Sequence, residues 1–295
     1  MNDTLEILKI QDLEPFPDHP FQVREDDAMK ETAESVKTYG ILTPILVRPL
    51  ENGHYQIVSG HRRTKACELA GVEEIPAIVR ELDYDSAVIA MVDSNLQREE
   101  ILPSERAAAY KMKVEAIRRQ CGRHSQDPDK NGDQLGHHLE SKLLDGRKSV
   151  EVVAEDAGES KTQVQRYLRL TELKPELQQM VDDKKIGMTP AVEISFLKPE
   201  EQQMLIDTIE SEQATPSLSQ AKRMKEMSRE GKLNDDTMLA VMCEQKKPEE
   251  DKIVIPCEAI AKYFPRSTTP HQMERMIYKL LSDWQKKKQR QHGAR

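Results

Sequence analysis

Val58-Ser59-Gly60-His61-Arg62-Arg63 is the stretch on which the reading of this chain turns. Residues His54 to Val58, with Tyr55 and Ile57 alternating, read as a short strand, and Arg62 to Ala70 read as a helix closed by Gly71. A strand therefore runs into a Ser-Gly turn, and the turn opens a helix that begins with two arginines. Unpaired amide N–H groups at a helix start carry partial positive charge and point outward. Gly60 lets the backbone approach a ligand closely, and each guanidinium offers a planar fork to oxyanions. An anion fits this turn, and so does a solvated helix start with surface arginines; the local pattern leaves both open.

Working outward, Ile45 to Pro49 predicts a strand, and Glu51-Asn52-Gly53 a hairpin turn into the strand before the key stretch. Further strands are predicted over Leu5 to Ile10 and Glu74 to Arg80. Pro15, Pro17 and Pro20 hold an extended loop between the first strand and a helix from Glu25 to Tyr39. Met29, Ala33, Val36 and Tyr39 are expected on the buried face of that helix, which Gly40 stops. A helix from Ser86 to Asp93 leads into the polar cluster Asp93-Ser94-Asn95-Leu96-Gln97-Arg98-Glu99-Glu100. Pro103 opens the next helix, with Ala107, Tyr110, Val114 and Ile117 as its apolar stripe. The cluster suits phosphate or a metal ion, and equally suits helix capping by Asp93 and Asn95.

Composition narrows the class. At 295 residues the chain has room for two or three domains. Charged residues at 33% and aromatics at only 4% favour small helical cores over a large sandwich. A net charge of −8 argues against bulk electrostatic coating of nucleic acid but leaves room for a local basic reader. Cys67, Cys121, Cys243 and Cys257 show no Cys-x-x-Cys spacing, so zinc and a disulfide framework are not expected, and a cytoplasmic setting fits. No basic-then-apolar leader and no long apolar run is seen, so no membrane span is expected. Residues 121–148 are polar and read as a linker or insertion; His124, His137 and His138 there lack the company of a metal site.

A second pattern runs from Val150 to Tyr167. Val153, Ala154 and Ala157 form one apolar face, Gly158 supplies a positive-φ turn, and Ser160 caps a second helix whose Val164 and Tyr167 point back. This is the spacing of a DNA-binding helix-turn-helix, although an ordinary helical hairpin with a polar face has the same grammar. The second helix carries no acid from Lys161 to Leu170. Ser160, Lys161, Thr162, Gln163, Gln165, Arg166 and Arg169 are its candidate DNA contacts, cations for phosphates and Gln, Thr and Arg for base edges. Helices follow over 175–185, 190–197, 200–210 and 214–231, then a charged linker near 245–251. A strand is expected at Ile253 to Ile255, and a last helix with Met273, Ile277, Leu280 and Trp284 as a possible dimer seam. That helix ends in basic residues suited to a DNA backbone, or simply to solvent.

Three motifs in order, Gly40-Ile41-Leu42-Thr43-Pro44-Ile45-Leu46-Val47-Arg48, Gly60-His61-Arg62-Arg63-Thr64-Lys65-Ala66 and Asn95-Leu96-Gln97-Arg98, resemble those of ParB-type partition proteins. The resemblance covers roughly residues 5 to 210. It implies an α+β, mostly α chain: a small mixed-sheet ParB/sulfiredoxin-like domain, then an all-helical helix-turn-helix domain and a small C-terminal segment. The expected boundaries are 1–120, 121–148, 149–212, 213–250 and 251–295. The resemblance further implies CTP with Mg2+ as cofactors. Gly60, His61, Arg62 and Arg63 would hold phosphates, Thr43 and Pro44 would lie near the base, Asn95 would help hold the metal, and Gln97 and Arg98 would support the site. The implied partners are double-stranded DNA with a centromere-like site, a second copy of the chain and a ParA-type ATPase, on a nucleoid or plasmid. His61 and Ser94 stand where the family usually has Glu; the second Glu is linked to CTP hydrolysis, so turnover is in question here. The alternative is a site-specific transcription regulator whose ParB-like domain binds no nucleotide. Sulfiredoxins need a Cys where this chain has Gly60, which argues against that enzyme.

Overall fold

The computed structural model describes residues 3–96, 101–124 and 148–244, and in the C-terminal stretch 260, 263–265 and 268–292. The N-terminal part holds five strands, β1 (Thr4–Lys9), β2 (Leu13–Glu14), β3 (Ile45–Pro49), β4 (Tyr55–Ser59) and β5 (Glu74–Val79). They form one mixed sheet in the order β1-β5-β3-β4-β2. The β1–β5 and β3–β4 pairs are antiparallel, and the β3–β5 and β2–β4 pairs are parallel. Helices α1 (Asp27–Tyr39) and α2 (His61–Ala70) contribute Met29, Ala33, Val36, Ala66 and Cys67 to a core with Ile45, Val47, Ile75 and Ala77. Alternation along β3 sends Ile45 and Val47 into that one core. Val58 of β4 instead joins a second core, with α3 (Tyr84–Leu96) and α4 (Pro103–His124).

Two expectations change here. Tyr39 does not share the buried face of α1 but is 74% exposed, because it is the last helical residue before Gly40 turns the chain at φ +70°. The helix expected to end at Asp93 runs on to Leu96, so Asn95 lies within α3 and not in a loop.

The rest of the first unit, which extends to Glu244, is helical. It comprises α5 (Ser149–Asp156), α6 (Lys161–Leu170), α7 (Pro175–Asp182), α8 (Met188–Ile194), α9 (Pro199–Glu212), α10 (Leu218–Arg229) and α11 (Asp235–Cys243). Val152, Val153, Ala154 and Val164 pack into the same core as Tyr110, Val114 and Ile117 of α4. The other face of α6 sends Leu170 into a further core that continues through Leu205, Met224 and Met238 to Met242, past the boundary expected at 212. α11 had no counterpart in the sequence reading; Asn234 caps it by accepting from Thr237 N at 2.9 Å.

The second unit, considered alone, contains α12 (Pro270–His292). Met273 is buried, whereas Leu280 and Trp284 of the expected stripe are 65% and 60% exposed. The strand expected at Ile253 to Ile255, and His137 and His138, lie outside the described residues. No helix among the described residues is long and apolar enough to cross a membrane.

Candidate functional site

Gly60 sits at the junction of β4 and α2 with φ +110°, a conformation that L side chains rarely adopt. A Cβ there would stand 2.5 Å from Ile45 Cγ2, so the turn needs glycine for packing as well as for backbone freedom. No side chain caps the start of α2. Its first-turn amides are therefore left to solvent or to an external acceptor.

The two arginines that follow take different directions. Arg62 lines a cleft of about 710 Å³ and meets Asp26, the N-cap of α1, at 3.3 Å. The Met29 amide, ahead of Arg62, holds the Asp26 carboxyl below its ordinary range. Arg63 turns to the loop before β3 and donates through Nη1 to the carbonyls of Thr43 and Pro44, both at 2.6 Å. Burial pulls its guanidinium below the ordinary value. Arg63 thus does not present the open fork expected of it; it holds the Thr43–Pro44 loop against the Gly60 turn. His61 is drawn into the proline loop, where its Nε2 accepts from Phe16 N at 3.4 Å and its ring lies 3.9 Å from that of His19.

Asn95 is 2% exposed and donates through Nδ2 to Met91 O at 2.8 Å. Its amide nitrogen is committed, which leaves the carbonyl oxygen as the atom suited to a cation. Among the described residues no cluster of three or more His, Cys, Asp or Glu could hold a metal. A magnesium ion here would have to draw most of its ligands from phosphates and water, its usual habit in nucleotide sites. The residues present fit the pair of groups on those terms. Gln97 and Arg98 lie outside the described residues.

Ser94 donates through Oγ to Met91 O at 2.9 Å, and Asp93 accepts from Lys113 Nζ at 2.5 Å. Lys113 is fully buried and also reaches Asp156 of α5 at 2.9 Å. The carboxylate next to Ser94 is therefore engaged in joining α3, α4 and α5. Sequence reasoning missed Lys113, although its place on the Tyr110–Val114–Ile117 stripe marks it as a charge on an apolar face.

The helix-turn-helix is built as its sequence requires. Gly158 has φ +66°, and Ser160 Oγ accepts from Gln163 N at 3.2 Å. Lys161, Thr162, Gln165 and Arg166 are exposed and Gln163 is half-buried, which leaves one polar face outward. Lys161 leans on Glu151 of α5 at 2.5 Å. Arg169 departs from expectation: it bonds Ser195 Oγ at 3.1 Å and the Ser195 carbonyl, and stacks 4.0 Å over the Phe196 ring. It anchors the far end of α6 to the end of α8 rather than standing free at the outer face. α4 fastens the turn from behind, with Arg106 to Glu159 at 2.7 Å and the Tyr110 and Tyr167 rings edge to face at 5.6 Å. Burial, with the Glu159 carboxylate beside it, pushes the Tyr110 hydroxyl well above its ordinary value.

Comparison with known proteins places this geometry. The family model of the ParB N-terminal domain matches residues 1–96, and that of the ParB HTH domain matches residues 143–236. Stage 0 sporulation protein J of Bacillus subtilis is 34% identical over 186 residues, 63% of this chain and 55% of that protein. A nucleoid occlusion protein of Listeria monocytogenes is 31% identical over 215 residues, 70% of this chain and 65% of that protein. The chain thus spans between half and two thirds of the length of these curated relatives. Among solved structures, the C-terminally truncated chromosome-partitioning protein ParB from Caulobacter crescentus, complexed to the centromeric parS site, matches at 24% identity and a TM-score of 0.43. That match covers 81% of this chain and 100% of that one. The chain belongs to the ParB-type partition protein family.

Proposed function

We propose that the chain is a sequence-specific DNA-binding protein of plasmid or chromosome partition that uses CTP as a switch to clamp and spread on DNA. The observation that carries this reading is the uncapped, glycine-led start of α2, whose Arg62 faces a cleft beside the helical half of the same unit. When bound, the nucleotide would supply a dense negative charge, which magnesium would partly offset. The chain's own residues do the rest. The first amides of α2 and Arg62 would receive phosphate oxygens, Arg63 keeps the Thr43–Pro44 loop in place near where the base would lie, and the Asn95 carbonyl oxygen would help hold the metal. Lys161, Thr162, Gln163, Gln165 and Arg166 contact a centromere-like duplex from α6, with Ser160 at its start.

Hydrolysis is slow in this reading. Ser94 is spent on its own helix and Asp93 on Lys113, so neither stands ready to activate water. The exposed apolar residues of α12, Leu280 and Trp284 among them, support a homodimer. The family resemblance implies a ParA-type ATPase as further partner, and the chromosome-partitioning and nucleoid occlusion names of the relatives support a nucleoid-associated place.

The test is calorimetric titration with CTP and with ATP, with and without genomic fragments that copurify with the protein, while phosphate release is followed. Tight binding of CTP alone, enhanced by cognate DNA and with little phosphate released, is the expected result. Specific DNA binding with no CTP affinity would replace this reading with that of a transcription regulator.

A further inference from the structure

Phe196, in the turn that follows α8, is 43% exposed, so burial in a core does not hold its ring. Two cations do. The Arg169 guanidinium of α6 lies 4.0 Å from the ring centroid, and Lys225 Nζ of α10 lies 3.6 Å from it. Lys225 is itself tied to Glu193 of α8 at 2.7 Å. The face of an aromatic ring carries negative electrostatic potential, which attracts cations even near solvent. Leucine at this position would offer apolar surface but no such face.

Through Arg169 the ring reaches the reading helix. Arg169 stands four residues after Gln165 and three after Arg166, one turn further along the same side of α6. Its guanidinium donates to Ser195 Oγ at 3.1 Å and to the Ser195 carbonyl, and Ser195 is buried and donates onward to Val192 O at 2.8 Å. The start of α6 is fixed separately, by the Ser160 cap and by Arg106 on Glu159. Between these ends, Val164 enters one core and Leu170 another. A ten-residue helix seated across two cores keeps a single tilt only when both of its ends are fixed.

We propose that Phe196 is a positioning residue for DNA reading: by holding Arg169 it sets the angle at which α6 presents Gln165 and Arg166 to base edges. This rests on the reading of α6 as the DNA-contacting helix. Its consequence is that sequence preference depends on a side chain outside the helix-turn-helix. A tilt of α6 harms contacts to base edges, which are directional, more than contacts of flexible cations to phosphates.

The test uses the intact chain and two probes, a duplex recovered with the protein from genomic DNA and a random-sequence duplex of the same length. Both are measured at a temperature where every variant is folded, and the ratio of the two affinities is the readout. Phe196→Leu should lower that ratio about three- to tenfold and leave affinity for the random duplex within about twofold. Arg169→Met should lower the ratio similarly, and the double variant should go no further, because the ring acts through the arginine. Phe196→Tyr keeps the ring face and should restore the parent's ratio. A lower melting temperature in Phe196→Leu with an unchanged ratio overturns the proposal, since the ring then only packs. A ratio that falls in Gln165→Ala or Arg166→Ala but not in Phe196→Leu also overturns it and leaves DNA reading by α6 standing. A parent that shows no preference for the recovered duplex overturns both.

Discussion

Two helix starts in this molecule are written in the same way and used differently. Each follows a glycine of positive φ, Gly60 at +110° and Gly158 at +66°, and each opens a basic helix with no acid in its first turn. At α2 nothing caps the amides, and the glycine is packed so closely on Ile45 that no Cβ fits. At α6 Ser160 caps the Gln163 amide, and the added Cβ of Gly158 would meet nothing within 4 Å. An uncapped start offers its backbone to a ligand. A capped start gives its backbone to itself and leaves side chains to do the recognition.

The largest expected difference is in stability. Gly60→Ala should cost about 2–5 kcal/mol, because left-handed strain and overpacking add. Gly158→Ala should cost only about 1–2 kcal/mol, since strain acts alone. Denaturant unfolding measures both, and equal losses would break the contrast. Next comes function at the open start. Arg62→Ala should lose about 1.5–3 kcal/mol of CTP affinity while initial DNA binding persists; retained CTP affinity would show that the start of α2 is merely solvated. At the closed start, Gln165→Ala and Arg166→Ala should each lose about 1–3 kcal/mol of specific DNA affinity and leave CTP binding in the free protein intact. A relaxed sequence preference marks a base contact, and a uniform loss with a shallower salt slope marks a phosphate contact. The smallest effect is Ser160→Ala, about 1 kcal/mol in unfolding, with CTP affinity unmoved.

Both starts were legible because their signals are local: a strand period, a glycine and a cap within a few residues. The direction of each arginine was not. Arg62 finds Asp26 36 residues away, Arg63 finds Thr43 20 residues away, and Arg169 finds Ser195 26 residues away. Nothing near an arginine in sequence specifies such partners, so three similar residues came to three different ends. β2 is two residues long, too short to show a period. α11 was legible in principle, since Asn234-Asp235-Asp236-Thr237 is a capping pattern that passed unused. The extension of α3 through Asn95 was obscured by a polar cluster that imitates a helix end.

α4 sits on the N-terminal side of residues 125–147, yet its Arg106, Tyr110 and Lys113 grip the turn and both helices of the helix-turn-helix. The seam in the primary sequence and the seam in the solid body are therefore in different places. A helix-turn-helix module excised at residue 149 would leave Val152, Val153 and Val164 without the helix that covers them, and Glu159 and Asp156 without their α4 cations. A transplanted helix-turn-helix therefore has to carry α4 from Pro103 onward, and any chimaera built from this protein inherits the N-terminal half's helix with it.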